Sequence, residues 1–112
     1  MRILIVGDGK VGHTLAAELL REGHDITIID QDDEVVKKTT DNLDVICVHG
    51  NGANASTLME AEVERADILI AATATDEINM LCCLMAKRLG AKHAIARIRD
   101  PEYTDQVMTM RD

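Results

Sequence analysis

The segment RILIVGDGKVGHTLAAELLREGHDITIID, residues 2–30, constrains the fold more than any other part of the chain. After Arg2 the run ILIV is continuously apolar rather than alternating, the pattern of a strand buried on both faces, and such strands belong to parallel sheets covered by helices. Three glycines follow at Gly7, Gly9 and Gly12. Beyond them Val11, Leu15, Ala16, Leu19 and Leu20 recur at helical spacing, and Gly23 stops the helix. Strand, tight turn and helix come in immediate succession, and a second apolar strand over 25–29 closes on Asp30.

The alternation continues. The polar stretch 32–40, with Val35 and Val36, predicts a short and mostly solvated helix; 45–48 predicts a third strand, 57–64 a helix, and 68–72 a fourth strand. The spacing then predicts the most apolar helix over 77–89, capped by a side-chain oxygen of Thr75 or Asp76 and stopped by Gly90. A fifth strand over 93–98 follows, and RDPEYTDQVMTMRD opens a further helix that tolerates Pro101 in its first turn. Short loops between alternating strands and helices describe an α/β, doubly wound (Rossmann-like) parallel sheet, strand order 3-2-1-4-5, with helices on both faces by the right-handed crossover rule. The 112 residues fit a single domain, 1–112, and no strand follows the last helix, so this reading expects the front part of a longer protein. In helix 77–89, Ile78, Leu81, Cys82, Met85 and Leu89 form a stripe for the sheet, while Met80, Cys83 and Leu84 carry apolar surface further round the cylinder and predict a subunit contact.

Composition removes several functions. Hydrophobic residues make up 46% of the chain but Tyr103 is the only aromatic, so the core is aliphatic and no stacking platform for bases exists. The net charge of -8 opposes a phosphate backbone, and nucleic acid is excluded as a partner. No apolar run reaches the ~18 residues of a membrane span, and the N-terminus enters a strand pattern rather than a signal peptide; a soluble, cytoplasmic chain without membrane insertion is expected. Cys47, Cys82 and Cys83 are odd in number and lack CxxC spacing, and His13, His24, His49 and His93 are scattered. These read as buried thiols and ordinary histidines rather than a disulfide framework or a metal site.

The glycine turn carries the chemistry. A lone GxGxxG is a weak signal, but here Gly7 ends a strand, Gly9 stands where a side chain would collide with a pyrophosphate, and Gly12 lets the helix approach the sheet. The turn, with Asp8 inside it, aims the amides of Gly9, Lys10 and Val11 at an anion from a helix N-terminus. Asp30, 18 residues after Gly12, is placed to accept hydrogen bonds from the hydroxyls of an adenosine ribose. A carboxylate there repels the 2′-phosphate of NADP, and Gln31, Asp32 and Asp33 supply no cation for it. The expected ligands are NAD or NADH, with ATP or ADP in the same class. Asn51 and Gly52 after the third strand are candidates for the adenine side, and Thr73 and Ala74 after the fourth for the pyrophosphate or its far ribose.

The stretch ATATDEINMLCCLMAKRLGA, continued by IARIRDPEY, is more specific. It resembles the N-terminal lobe of the regulator of potassium conductance family, the potassium-transport nucleotide-binding domains, and within it the NAD-binding Trk-type regulators. The resemblance covers essentially the whole chain: the glycine turn, Asp30, HGNGA, ADILIAATATDEINM and IARIRDPEY. It implies that Arg97 adds a phosphate contact; where many relatives carry an aspartate in the third loop, this chain has Asn51. It also implies a non-catalytic, cytosolic ligand-sensing subunit, peripheral at the inner face of the membrane through a potassium transporter membrane subunit, gating it by conformational change and assembling as a dimer or larger homo-oligomer. From the residues alone two other readings stay open: a cofactor-binding fragment of an NAD-dependent dehydrogenase, and a methyltransferase using S-adenosylmethionine. The first lacks an acid-base constellation at the strand ends, and the second favours a GxGxG turn.

Overall fold

The computed structural model describes residues 1–103. Five parallel strands form one sheet in the order β3-β2-β1-β4-β5. They are β1 (Arg2–Val6), β2 (Asp25–Asp30), β3 (Ile46–His49), β4 (Ile68–Ala71) and β5 (His93–Ala96), with β1 paired to both β2 and β4 at the centre. The helices are α1 (Lys10–Arg21), α2 (Asp33–Asn42), α3 (Ala55–Glu60) and α4 (Asp76–Arg88). This is the doubly wound architecture and the strand order that the alternation predicts.

The period-two geometry of β1 divides the core. Ile3 and Ile5 point into one layer with Ile26, Ile28 and Ala16, which Leu15, Leu19, Leu20 and Leu43 cover from α1 and the end of α2. Leu4 and Val6 point the other way, into a layer with Ile29, Val48, Leu58, Leu69, Cys82 and Ala86 beneath α3 and α4. Both faces of β1 are therefore dry, which is why its sequence shows no polar alternation.

Several local expectations change. The helix expected over 57–64 ends at Glu60: Glu62 takes a left-handed conformation at φ 60°, and the turn Val63–Arg65 follows, with Val63 fully buried. A non-glycine residue there costs ~1–2 kcal/mol, offset by seating Val63 in the core. β5 stops at Ala96 instead of reaching residue 98. Thr75 is the N-cap of α4 by position but its side chain makes no cap, and Asp76 turns toward the chain beyond β5. On α4 the buried stripe is Asp76, Asn79, Cys82 and Ala86, flanked by Ile78, Cys83, Met85 and Leu89. Leu81, expected against the sheet, is 45% exposed, and Cys83, expected outside, packs on the core. Pro101–Tyr103 forms a single 3₁₀ turn, and the rest of the helix expected at the end of the chain lies outside the described residues. Among the described residues no helix is long and apolar enough to cross a membrane.

Candidate functional site

The turn after β1 is set by close approach. Gly7 has φ +97°, and a Cβ on it would stand 3.0 Å from the Thr73 amide nitrogen; a Cβ on Gly12 would stand 1.8 Å from the Gly7 carbonyl oxygen. Any larger residue at Gly12 would push α1 off the turn. Gly9 differs from both: its backbone is extended at φ -75°, and a Cβ there would meet nothing within 4 Å. The first glycine brings the turn against the end of β4, the third brings α1 onto the turn, and the second faces open space.

That space is a cleft of about 290 Å³ at the carboxyl ends of the strands, lined among others by Gly7, Gly9, Asp30, Asn51, Thr73 and Ala74. It lies between β1 and its two neighbours, at the switch point where the chain leaves the sheet in opposite directions, the place where doubly wound sheets take ligands. A larger hollow, about 530 Å³, lies at the opposite end of the sheet between the starts of the strands, lined by Arg2, His24, Asp25, Asp44 and Glu62 among others. It has no glycine turn and no helix N-terminus, and its carboxylates repel anions, so the smaller cleft is the candidate site.

None of the described residues lining the cleft is Lys or Arg. Its positive potential comes from the start of α1, where Gly9 is the N-cap, no side chain caps the free amides, and no acidic residue occupies the first turn. By contrast α2 is capped by Asp32 and α3 by Asn54. An anion is therefore met by main-chain donors.

Asp30 sits partly exposed at the end of β2, and each of its oxygens accepts one amide: Oδ2 from Asp8 at 2.7 Å and Oδ1 from Asp32 at 2.8 Å. A carboxylate offers about four lone-pair positions, so both oxygens keep capacity toward the cleft. The Asp8 side chain points away from the cleft; it is buried between α1 and α2, where it takes the Thr39 hydroxyl and lies 3.2 Å from His13 Nδ1. Asp8 thus joins the site through its amide, which orients Asp30. Lys10 and Val11 are exposed at the start of α1. Gly52 also lines the cleft but packs closely, since a Cβ there would stand 2.3 Å from Val6 Cγ1. Asn51 lines it with its side-chain oxygen bent onto the Ala53 amide of its own loop. Arg97 is outside the lining residues; its amide donates to Ala71 and its carbonyl accepts from Asn79.

Two side chains that sequence reasoning missed organise the far wall. Asn79, 1% exposed, accepts from the Thr73 amide at 2.9 Å and the Thr73 hydroxyl at 2.7 Å, and donates to the carbonyls of Thr73 at 3.1 Å and Arg97 at 2.8 Å. Asp76 accepts from the amides of Arg99 and Asp100, and those hydrogen bonds hold its carboxyl below the usual carboxylate range. The available signal was two polar residues three apart at the start of an otherwise apolar helix. The cysteines are free thiols; burial pushes Cys82 up to about 12 and Cys83 to about 11, away from nucleophilic chemistry at neutral pH.

Comparison with known proteins accounts for the motifs and the fold together. The TrkA-N domain model matches residues 3–111. A Trk system potassium uptake protein TrkA homolog of Archaeoglobus fulgidus is 45% identical over 95% of this chain, and one of Methanothermobacter thermautotrophicus is 36% identical over 94%. The chain spans 24% of the first relative's length and 49% of the second's. Among solved structures, the GsuK channel bound to NAD superposes on 96% of the chain, with 20% of its own length covered, at a TM-score of 0.84 and 22% identity, a likeness of fold. With its glycine turn, its acidic second strand and its ATATDEINM and IARIRDPEY stretches all inside the matched region, the chain belongs to the TrkA-N domain family.

Proposed function

We propose that this chain is the NAD- or NADH-binding lobe of a non-catalytic regulator of potassium uptake, acting at the inner face of the membrane on a potassium transporter membrane subunit. The observation that carries the nucleotide half is Asp30 in the same cleft as the open position of Gly9: an acceptor suited to ribose hydroxyls and a gap suited to a pyrophosphate. The main-chain amides at the start of α1 would hold the pyrophosphate, Asp30 the adenosine ribose, Asn51 and Gly52 the adenine side, and Thr73 and Ala74 the far side. Arg97 stands close behind Thr73, across Asn79, and is the candidate for a charge contact. At about 290 Å³ the cleft is at the small end of ligand sites, ~300–1,000 Å³, and suits part of a dinucleotide. The remainder would lie over Ala74, which also borders a shallow pocket with Thr75, Asp76, Arg99 and Tyr103.

The regulatory half is supported by the TrkA homologs, which are named for potassium uptake, and by the likeness of fold to a channel bound to NAD. Nucleotide occupancy shifts a two-state lobe only as far as the ligand prefers one state, and the transporter subunit and a second copy of the lobe are the surfaces that would feel it. Titration of the purified chain with NAD, NADH, NADP, ATP and ADP is the test. Binding of NAD or NADH with NADP at least tenfold weaker is expected. Equal affinity for NAD and NADP overturns the assignment of Asp30, and steady turnover of NADH with a substrate overturns the regulatory reading.

A further inference from the structure

We infer that Asn79 is a positioning residue that ties the cleft wall after β4 to the segment leaving β5, so that the nucleotide and that segment act on each other through one buried amide. The observation is the division of its hydrogen bonds. The oxygen is used entirely on Thr73, taking both its amide and its hydroxyl, while the nitrogen is shared between the carbonyls of Thr73 and Arg97. The two segments belong to different strands, and beyond Ala71 and Ala96 the ladder continues for one residue each, through the Ala72 amide to the Val6 carbonyl and the Arg97 amide to the Ala71 carbonyl. Past those bonds their main-chain groups must be satisfied by side chains, and α4 supplies them.

The geometry extends in both directions. Toward the ligand, Thr73 packs against Gly7, where an added Cβ would stand only 3.0 Å from the Thr73 amide nitrogen, so the glycine turn and the Thr73 turn adjoin as one wall of the cleft. Away from it, Asp76, one helical turn before Asn79, holds the amides of Arg99 and Asp100. Asn79 is 1% exposed and every polar atom of its side chain is engaged; a shift of Thr73 that kept these bonds would carry the Arg97 carbonyl with it. An amide is suited to this as no other side chain of its size is, since it accepts on one side and donates twice on the other.

The inference takes its ligand from the nucleotide reading above, and the experiment separates the two. Asn79→Asp keeps the acceptor facing Thr73 and removes the donor facing the Thr73 and Arg97 carbonyls, putting negative charge against both. Amide hydrogen exchange and NADH titration are measured on parent and variant, with exchange at Ile5 and Leu69 reporting whether the sheet is intact. In the parent, NADH raises protection at Thr73, Arg99 and Asp100 together. In the variant the sheet amides keep their protection, NADH binds about tenfold or more weakly, as expected for losing two buried hydrogen bonds, and at saturating NADH Arg99 and Asp100 gain no protection. A residue that only fills the core would not uncouple the two segments at saturation. Unchanged NADH affinity in a folded variant, or protection passed on to Arg99 and Asp100 as in the parent, overturns the inference. If the variant does not fold, the parent decides: bound NADH that protects Thr73 and leaves Arg99 and Asp100 unchanged overturns it. If the parent binds no adenine nucleotide, the nucleotide reading fails by itself. Ligand-free exchange then judges the linkage, with Thr73, Arg99 and Asp100 loosening together in Asn79→Asp in its favour and Thr73 loosening alone against it.

Discussion

Each oxygen of Asp30 already accepts one main-chain amide, so a substitution there acts on the turn as well as on a ligand. Asp30→Ala should weaken NADH binding by roughly ten- to a hundredfold, the scale of one or two hydrogen bonds to a charged acceptor, and should narrow the gap between NAD and NADP. The ratio of the two affinities is the diagnostic quantity, because a loosened turn weakens both ligands alike while loss of the charge relieves only NADP. Gly9 gives the complementary experiment. Its backbone suits any residue and its Cβ direction is open, so Gly9→Val should fold like the parent by circular dichroism and fail to bind NADH. Gly12→Ala should lose stability instead, by ~1–3 kcal/mol or more in urea denaturation, since its Cβ would overlap the Gly7 carbonyl. NADH binding by Gly9→Val equal to the parent's would reduce the turn to a packing device. The placement of Gly7, Gly9 and Asp30 was legible in the sequence because each is dictated by local chain geometry next to a recognisable strand end. The direction of the Asp8 side chain was not: it depends on Thr39 and His13 reaching it from two helices, a tertiary fact with no local signature.

Among the elements, the central strand β1 was legible because burial on both faces leaves a run such as ILIV that few other structures tolerate. On α4 the apolar pattern misled, since a polar residue at the centre of the buried stripe reads as surface and moves the inferred stripe by one residue, about 100° round the helix. Asn79 lies on that line with Cys82 and Ala86, satisfied by the main chain rather than by water. Asp76 has a further consequence. Its carboxyl is lowered by the amides of Arg99 and Asp100 first, so its folded value lies beneath the unfolded one. A depressed carboxylate contributes stability that is fully present above the unfolded pKa, near 4, and is lost as pH falls through the folded value. Asp76→Asn should therefore be less stable than the parent in urea at pH 7, with the gap closing as pH is lowered below about 4. A gap independent of pH over that range would show that the carboxylate charge contributes nothing to holding the Arg99–Asp100 segment.

For the whole molecule the open question is what covers the outer side of α4. Leu81 and Leu84 are 45% and 47% exposed one turn apart on that side. Isolated exposed leucines need no explanation, but two on one helix face, with Met80 one turn before Leu84, form the kind of surface that proteins cover. We propose that a second copy of this lobe covers it, with Leu81, Leu84 and part of Met80 in the contact; Cys83, assigned to this surface by the sequence pattern, faces the core instead. Leu81→Glu with Leu84→Glu places two carboxylates in that contact, where burial without partners is strongly unfavourable. In the separate chain both side chains already meet water, so the exchange should change folding stability by no more than about 0.5 kcal/mol per site. Light scattering over a range of concentrations, with and without NADH, should find the parent dimeric or larger at high concentration and the double variant monomeric, at matching melting temperatures. A parent that stays monomeric throughout, or a double variant that assembles as the parent does, would assign the contact to another surface.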